Sequence, residues 1–132
     1  MIRELKYADI DLVKDLPPKD WNFDYEQFLR EHLAKDYFFG IVLSSNKEVI
    51  GTGNCFMNGN VGWLANIIVK NEYRGNGFGT DITKFLSDFL NCKGCTIQSL
   101  IATKSGKGVY ERLGFKEICT YSYFENIKNE VI

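Results

Sequence analysis

A glycine-rich loop lies between an apolar segment and an amphipathic helix, and this arrangement constrains the fold more than any other sequence feature. Residues 73–80 read YRGNGFGT, with glycine at positions 75, 77 and 79. Glycine permits positive φ angles and close backbone approach, so successive N–H groups can converge at the start of the following helix. The helix dipole adds partial positive charge at that point. The loop is therefore predicted to bind an anion, most naturally phosphate, with Arg74 beside it.

Hydrophobic periodicity around the loop predicts an α/β (α+β) fold. Antiparallel hairpins come first, and one strand–helix–strand crossover follows, which we expect to be parallel and right-handed. Asn58-Gly59-Asn60 is the strongest hairpin signal. The predicted strands are residues 2–6, 38–43, 48–57, 61–69, 96–102 and 115–124. The predicted helices are residues 8–16, 25–35, 105–113 and the helix after the loop, whose apolar face is Ile82, Phe85, Leu86, Phe89 and Leu90.

Length and composition are those of one globular domain over residues 1–132. The chain is 45% hydrophobic and 14% aromatic. Its net charge is −1 and its Lys and Arg residues are dispersed, so no nucleic-acid partner is expected. No apolar stretch approaches the ~20 residues that span a bilayer, so no membrane partner is expected. The charged N-terminus lacks the apolar core of a signal peptide. We therefore expect a cytoplasmic protein.

The four cysteines predict neither a metal centre nor a redox centre. Cys92 and Cys95 have the CxxC spacing of zinc sites and redox motifs. A zinc site needs two further ligands, yet His32 is the only histidine and no second CxxC exists. A redox CxxC normally opens a helix, where the dipole lowers the thiol pKa, whereas this one follows a predicted helix. We expect buried or incidental thiols and no metal.

Two familiar phosphate-binding motifs do not fit the glycine loop. A dinucleotide-binding motif needs GxGxxG and a later acidic residue for the ribose, but the loop reads GxGxG. A P-loop needs Gly-Lys-Ser/Thr, which is missing. A flexible turn would explain a glycine cluster alone, but the position between strand and helix favours an anion site.

Two segments together resemble the signature of the GNAT superfamily of acetyl-CoA-dependent N-acetyltransferases. Residues 69–79, VKNEYRGNGFG, are similar to its V-x-x-x-Y/F-R-G lead-in and its R/Q-x-x-G-x-G/A loop. Residues 103–115, TKSGKGVYERLGF, are similar to a later family motif, a short helix ending L-Y-x-x-x-G-F. A helix and a strand separate the two segments, as in the family. The resemblance covers residues 38–124 well and the first 37 residues loosely.

The resemblance implies direct transfer of an acetyl group from the co-substrate acetyl-CoA to a primary amine of a small molecule or peptide. In the family, the strand before the loop splays from its parallel neighbour and binds pantetheine through main-chain atoms, while the loop holds the pyrophosphate. Tyr110 matches the family tyrosine that protonates the departing thiolate, and a packed aromatic is the alternative role. The implied cofactor-binding residues are Ile67, Ile68, Val69, Arg74, Gly75, Asn76, Gly77, Phe78, Gly79, Thr80, Thr103 and Gly106.

Two positions depart from the family pattern. Many members carry a glutamate in the central strand that orders water to deprotonate the amine, and Ala65 stands there. The base must then come from elsewhere, or the amine arrives partly neutral. Thr103 stands where an asparagine commonly contacts CoA. A non-catalytic CoA-binding regulatory module and a nucleotide-binding module are the alternative functions.

The acceptor site is expected to draw on residues before the glycine loop. Residues 20–25, DWNFDY, concentrate aromatic rings and carboxylates, which suits a wall that binds a cation. The predicted acceptor-binding residues are Trp21, Tyr25, Asn54 and Phe56, with ordinary aromatic packing as the alternative. Family members usually have a seventh strand. Residues 126–132 are therefore expected to form a short strand, or the partner in a homodimer completes the sheet.

Overall fold

The computed structural model describes residues 1–103 and 106–119, which form one mixed sheet with helices on both faces. The five strands lie in the order β1-β2-β3-β4-β5, and every neighbouring pair is antiparallel except β4–β5, which is parallel. This confirms the predicted fold class. The strands are β1 (Ile2–Glu4), β2 (Phe38–Ser45), β3 (Glu48–Asn58), β4 (Val61–Val69) and β5 (Ile97–Leu100). The α-helices are α1 (Ile10–Val13), α2 (Tyr25–His32), α3 (Phe78–Cys92) and α4 (Lys107–Arg112).

Two predicted elements differ from the structure. The helix predicted over residues 8–16 is a 3-10 turn at Tyr7–Asp9 followed by the single turn α1, after which the N–H of Leu16 donates to the carbonyl oxygen of Val13 (3.0 Å) in a turn that leads into Pro17. Residues 115–119 are not a strand, so that part of the predicted strand 115–124 is wrong. The N–H of Phe115 instead donates to the carbonyl oxygen of Tyr110 (3.1 Å) and closes α4. The rest of that strand, and residues 126–132, lie outside the described residues.

The amphipathic helix after the glycine loop, α3, covers one face of the sheet. Ile82, Leu86 and Leu90 are fully buried against β3 and β4, as the periodicity predicted. Glycines in the strands permit this close approach, because a Cβ at Gly53 would lie 2.6 Å from Cγ2 of Ile82. The packing holds the N-terminus of α3, and with it the glycine loop, beside the end of β4.

The opposite face is covered by the N-terminal helices α1 and α2. Ile10, Val13 and Leu29 pack there against Phe38 and Val42 of β2. Tyr25, the first residue of α2, reaches the centre of this layer and is 1% exposed. The two layers bury the sheet on both sides, so the open features of the fold lie along strand edges and at the β4–α3 loop.

Candidate functional site

The central strand β4 leaves its parallel neighbour halfway along its length. Pairing with β5 runs from Val61↔Ile97 to Leu64↔Leu100 and stops there. The second half of β4 continues along β3 alone, so in the described part of the chain its other edge has no neighbouring strand. An open strand edge presents N–H and C=O groups that need partners. The structure places Ile67, Ile68 and Val69 on this open edge.

A bulge interrupts β4 where the sheet opens. Thr52 faces Ile68 and Asn54 faces Ala65, so the bulge residues 66 and 67 stand opposite one residue of β3. Asn66 has a φ of +54°, in the left-handed region that asparagine tolerates better than most residues. A bulge redirects backbone groups away from the regular ladder. The sequence predicts 61–69 as one continuous strand, and the asparagine within this apolar strand is its available signal for the bulge.

The glycine loop carries the chain from β4 into the 15-residue helix α3. Gly75 has a φ of +80° and Gly77, the N-cap of α3, has a φ of +82°. Residues other than glycine rarely adopt these angles, which explains the glycine spacing. A Cβ at Gly75, Gly77 or Gly79 would meet no atom within 4 Å, so the backbone here is open to a ligand. The loop and the positive end of the helix dipole thus form the predicted anion-binding geometry.

Two polar side chains of the loop have different surroundings. The Nε of Arg74 donates to the carbonyl oxygen of Val69 (3.1 Å), which ties the guanidinium to the end of β4. The Nδ2 of Asn76 donates to the carbonyl oxygen of Tyr73 (3.0 Å), inside the turn. Arg74 lines the cavity described below, and the Asn76 side chain does not. Asn76 therefore stabilises the loop from within.

The short helix α4 brings Tyr110 to the same region. Its ring is half-buried, packs at an angle of 75° to the ring of Phe115, and lies close to Gly106. Burial raises the pKa of the Tyr110 phenol above its ordinary value, so the hydroxyl keeps its proton at neutral pH. The N–H of Gly106 donates to Oγ1 of Thr103 (3.3 Å), so Thr103 helps to order the entry to α4.

A cavity of about 400 Å³, called the site cavity below, lies between the open half of β4, the glycine loop and α4. Most predicted site residues line it: Trp21, Ile67, Ile68, Val69, Arg74, Gly75, Gly77, Phe78, Gly79, Thr80, Thr103, Gly106 and Tyr110. Further lining residues, for which the sequence predicts no binding role, are Pro18, Leu64, Ala65, Asn66, Tyr73, Leu100, Ile101, Val109 and Arg112.

The charges of the site cavity are positive. Arg74 and Arg112 line it, and its described lining contains no aspartate, glutamate or histidine. Two arginines in the lining, one of them in the loop that leads into α3, suit a ligand with several negative charges. The same composition leaves no ordinary general base in this part of the lining.

Three of the four predicted acceptor-binding residues do not reach the site cavity. Tyr25 and Asn54 are 1% and 0% exposed, because α2 covers the face of β3 on which Asn54 lies. Phe56 packs edge-on against the rings of Phe28 and Phe38 in the same layer. Trp21 does line the cavity and is 41% exposed. Alternation along β3 put Asn54 and Phe56 on one face, but it could not reveal that α2 occupies that face.

Asp24 and His32 have the chemistry of a general base, but contacts elsewhere in the fold hold both side chains. Asp24 caps α2, since its Oδ1 accepts a hydrogen bond from the N–H of Gln27 (3.0 Å). The Nδ1 of His32 lies 2.8 Å from the hydroxyl of Tyr37, within an aromatic cluster. Neither these residues nor Asp20 line the site cavity.

The described cysteines are all free thiols. Cys55 and Cys95 are buried in the core, whereas Cys92 and Cys119 are exposed. In residues 1–103 and 106–119, no group of three or more potential ligands could hold a metal ion. No helix in these same ranges combines the length and apolar character that a membrane span requires.

Comparisons with known proteins agree with this geometry. Three solved structures share the fold at low sequence identity. Glucosamine-6-phosphate N-acetyltransferase from Arabidopsis thaliana is 24% identical, with a TM-score of 0.72 over 95% of this chain and 98% of that chain. A predicted acetyltransferase with acetyl-CoA from Clostridium acetobutylicum is 20% identical, with a TM-score of 0.77 over 98% and 97%. An aminoglycoside 6'-N-acetyltransferase from Acinetobacter haemolyticus is 19% identical, with a TM-score of 0.75 over 96% and 97%.

The sequence itself identifies the family. No match is found among curated protein sequences. The sequence profile of the acetyltransferase (GNAT) family matches residues 8–115, which include the bulged strand, the glycine loop and the helix that carries Tyr110. This chain belongs to the acetyltransferase (GNAT) family.

Proposed function

We propose that this N-acetyltransferase transfers the acetyl group of acetyl-CoA directly to a primary amine of a small molecule or peptide, within a single domain. The observation that carries the proposal is the site cavity, where the open edge of β4, the glycine loop and Tyr110 meet. The solved relative with acetyl-CoA supports the choice of acyl donor. The relatives named for glucosamine-6-phosphate and for aminoglycosides support an amine acceptor.

The binding roles follow from charge and backbone geometry. The N–H groups of residues 75–80 and the start of α3 bind the pyrophosphate, and Arg74 adds a charge beside it. The open edge at Ile67–Val69 binds the amide groups of pantetheine by main-chain hydrogen bonds. Acetyl-CoA supplies an activated thioester when bound. A backbone N–H at the β4 bulge polarises the thioester carbonyl, in the manner of an oxyanion hole.

The proton balance of the transfer gives Tyr110 its role. A bond forms between the amine nitrogen and the acetyl carbon, the carbon–sulfur bond breaks, the amine loses a proton and the thiolate gains one. Tyr110 lines the cavity and its phenol is protonated at neutral pH, so it donates its proton to sulfur, and the proton released by the amine nitrogen then restores the phenol. The described lining has no carboxylate or imidazole, so the acceptor must arrive as a neutral amine.

A ligand panel tests the proposal. Melting temperature is measured with acetyl-CoA, CoA, ATP and NAD, because a ligand that binds the native state raises apparent stability. We expect shifts with acetyl-CoA and CoA and much smaller shifts with ATP and NAD. Equal shifts with all four would indicate a general nucleotide-binding module, and no shift with either CoA species would contradict the proposal.

A second candidate, a non-catalytic CoA-binding regulatory module, is favoured by Ala65. This residue lines the site cavity at the position where many family members have a glutamate. Thiol release from acetyl-CoA with a panel of primary amines separates the two functions. Amine-dependent release establishes the transferase, whereas binding without release by any amine favours the regulatory module.

A further inference from the structure

A chain of buried and partly buried hydrogen bonds connects Tyr25 of α2 to the β4 bulge. The Nδ2 of Asn66 lies 2.8 Å from Oδ1 of Asn54, and the Nδ2 of Asn54 lies 2.9 Å from the hydroxyl of Tyr25. That hydroxyl lies 2.8 Å from Oγ1 of Thr52, which lies 3.1 Å from the carbonyl oxygen of Ile41 in β2. The chain therefore crosses the sheet from β2 to the bulge in β4.

The donors and acceptors of this chain have one consistent direction. The carbonyl oxygen of Ile41 can only accept a hydrogen bond, so the hydroxyl of Thr52 is the donor to it. Tyr25 then donates to Thr52 at 2.8 Å, which is shorter than its 3.2 Å contact with Oδ1 of Asn54. Asn54 donates to Tyr25, and its Oδ1 accepts from Asn66. Hydrogen bonds that run in one direction polarise each other, and each bond orients the next group.

Simple satisfaction of buried polar groups would explain the inner part of this chain. Thr52 and Asn54 are fully buried, and such groups need partners wherever they lie. It does not explain why the chain ends on Asn66. That residue is partly exposed, lines the site cavity and has the unusual φ of the bulge. The hydrogen bond to Asn54 thus holds the side chain of the residue whose backbone departs from the strand.

We infer that Tyr25, Asn54 and Thr52 are positioning residues, which set the backbone geometry of the bulge through Asn66. This inference rests on the proposed function, because the bulge matters through the N–H group that it directs at the thioester carbonyl. Donors in such a site stabilise developing charge only when they are aligned before the reaction. Tyr25 acts at a distance, since it is 1% exposed and does not line the cavity.

Infrared spectroscopy of bound acetyl-CoA labelled with ¹³C at its carbonyl tests the inference directly. A hydrogen bond to the thioester oxygen lowers the carbonyl stretching frequency. The remote variant is Tyr25→Phe, which keeps the ring and removes the hydroxyl. The matched control is Val13→Ala, which weakens the same apolar layer without touching the hydrogen-bond chain. Asn66→Gly is the second variant, because glycine tolerates the positive φ but cannot donate to Asn54.

We expect the bound carbonyl of both network variants to move towards its frequency in solution, while Val13→Ala retains the wild-type frequency. With the best amine of the panel, kcat should fall about tenfold in Tyr25→Phe, with KM for acetyl-CoA nearly unchanged, as for a group that acts mainly in the transition state. If Tyr25→Phe does not fold, Asn66→Gly decides. Wild-type frequency and kcat in a folded network variant would overturn the inference alone. Failure of the wild-type protein to bind acetyl-CoA would instead overturn the proposed function, and the inference with it.

Discussion

The ring of Tyr110 lies against Gly106, one helical turn earlier. A Cβ added to Gly106 would lie only 3.0 Å from Cε2 of Tyr110. Any side chain at 106 would have to displace the ring. The ring also packs at 6.4 Å from that of Phe115. The position of Tyr110 is therefore fixed by contacts of the ring, and the hydroxyl contributes little to it.

Tyr110→Phe should accordingly lower kcat and leave folding intact. If the hydroxyl protonates the departing thiolate, its loss should cost on the order of 10²-fold in kcat, with little change in acetyl-CoA affinity. Steady-state kinetics and calorimetric binding measure the two effects. Tyr73→Phe is the matched control, because Tyr73 also lines the cavity but its hydroxyl donates to Oε1 of Glu48 (2.9 Å). Equal kcat values for wild type and Tyr110→Phe would make Tyr110 a structural residue.

Gly77→Asp should abolish acetyl-CoA binding. The carboxylate would stand at the N-terminus of α3 and repel the diphosphate, and the residue would be strained at a φ of +82°. Gly94→Asp controls for the strain, because Gly94 has a φ of +86° and equally open surroundings at the other end of α3. Calorimetry should show binding by Gly94→Asp and none by Gly77→Asp. Unchanged affinity in a folded Gly77→Asp protein would contradict the pyrophosphate site.

The pH dependence of acetyl transfer should follow the pKa of the acceptor amine. The described lining of the site cavity contains no carboxylate or imidazole that could deprotonate a bound ammonium group, so we expect the acceptor to bind as the neutral amine. We expect kcat/KM to rise with pH until the pKa of each free amine is reached. Profiles measured with two acceptors of different basicity check this. Superimposable profiles would indicate a base on the protein, and Asp20, Asp24 and His32 would be the first to replace.

Burial of Tyr25 should make the protein sensitive to alkali. Desolvation raises the pKa of Tyr25 to about 12, above its ordinary value of 10.0, although bonds to Thr52 and Asn54 oppose the rise. The neutral phenol therefore stabilises the fold fully below pH 10, and this contribution is lost as pH rises from 10 towards 12. The difference in pKa corresponds to roughly 2–3 kcal/mol of unfolding free energy.

Urea unfolding at pH 8, 10 and 11 measures this effect. Tyr25→Phe should be less stable than wild type at pH 8 but should lose less stability between pH 10 and 11. Burial also raises the pKa of Cys55 to about 12, so Cys55→Ala serves as a separate control for the thiol. The same loss of stability in wild type and Tyr25→Phe would show that Tyr25 does not titrate with unfolding.

The glycine loop could be predicted from the sequence because its conformation depends on residues that are close together in the chain. Gly75 and Gly77 need positive φ, and glycine before an amphipathic helix signals this without knowledge of distant residues. The buried face of α3 could also be predicted from the sequence, because Ile82, Leu86 and Leu90 recur with the helical period. Phe85, on the same predicted face, is 39% exposed, whereas Ile82, Leu86 and Leu90 are fully buried.

The bulge and the surroundings of the predicted acceptor-binding residues could not be predicted, because they depend on how distant segments of the chain meet. Asn66 has its left-handed angle at the point where β3 supplies one residue opposite two of β4. Tyr25 belongs to an aromatic segment that suited a binding wall, yet α2 turns its ring into the core. Its hydrogen bonds to Thr52 and Asn54 join residues 27 and 29 positions apart in the chain.

The early end of β4–β5 pairing has a consequence for local stability. β5 contains no fully buried residue and neither does α4, whereas β2 and β3 are largely buried. In native-state hydrogen exchange, amides of β5 and α4 should open at much lower free energy than those of β3. A ligand that bridges β4, α3 and α4 favours the closed form, so acetyl-CoA should slow exchange in β5 and α4 and leave β3 unchanged. Limited proteolysis should likewise cleave β5 and α4 more slowly when acetyl-CoA is bound. The concentration of acyl donor would then determine the resistance of this part of the protein to degradation, as well as the rate of acetyl transfer.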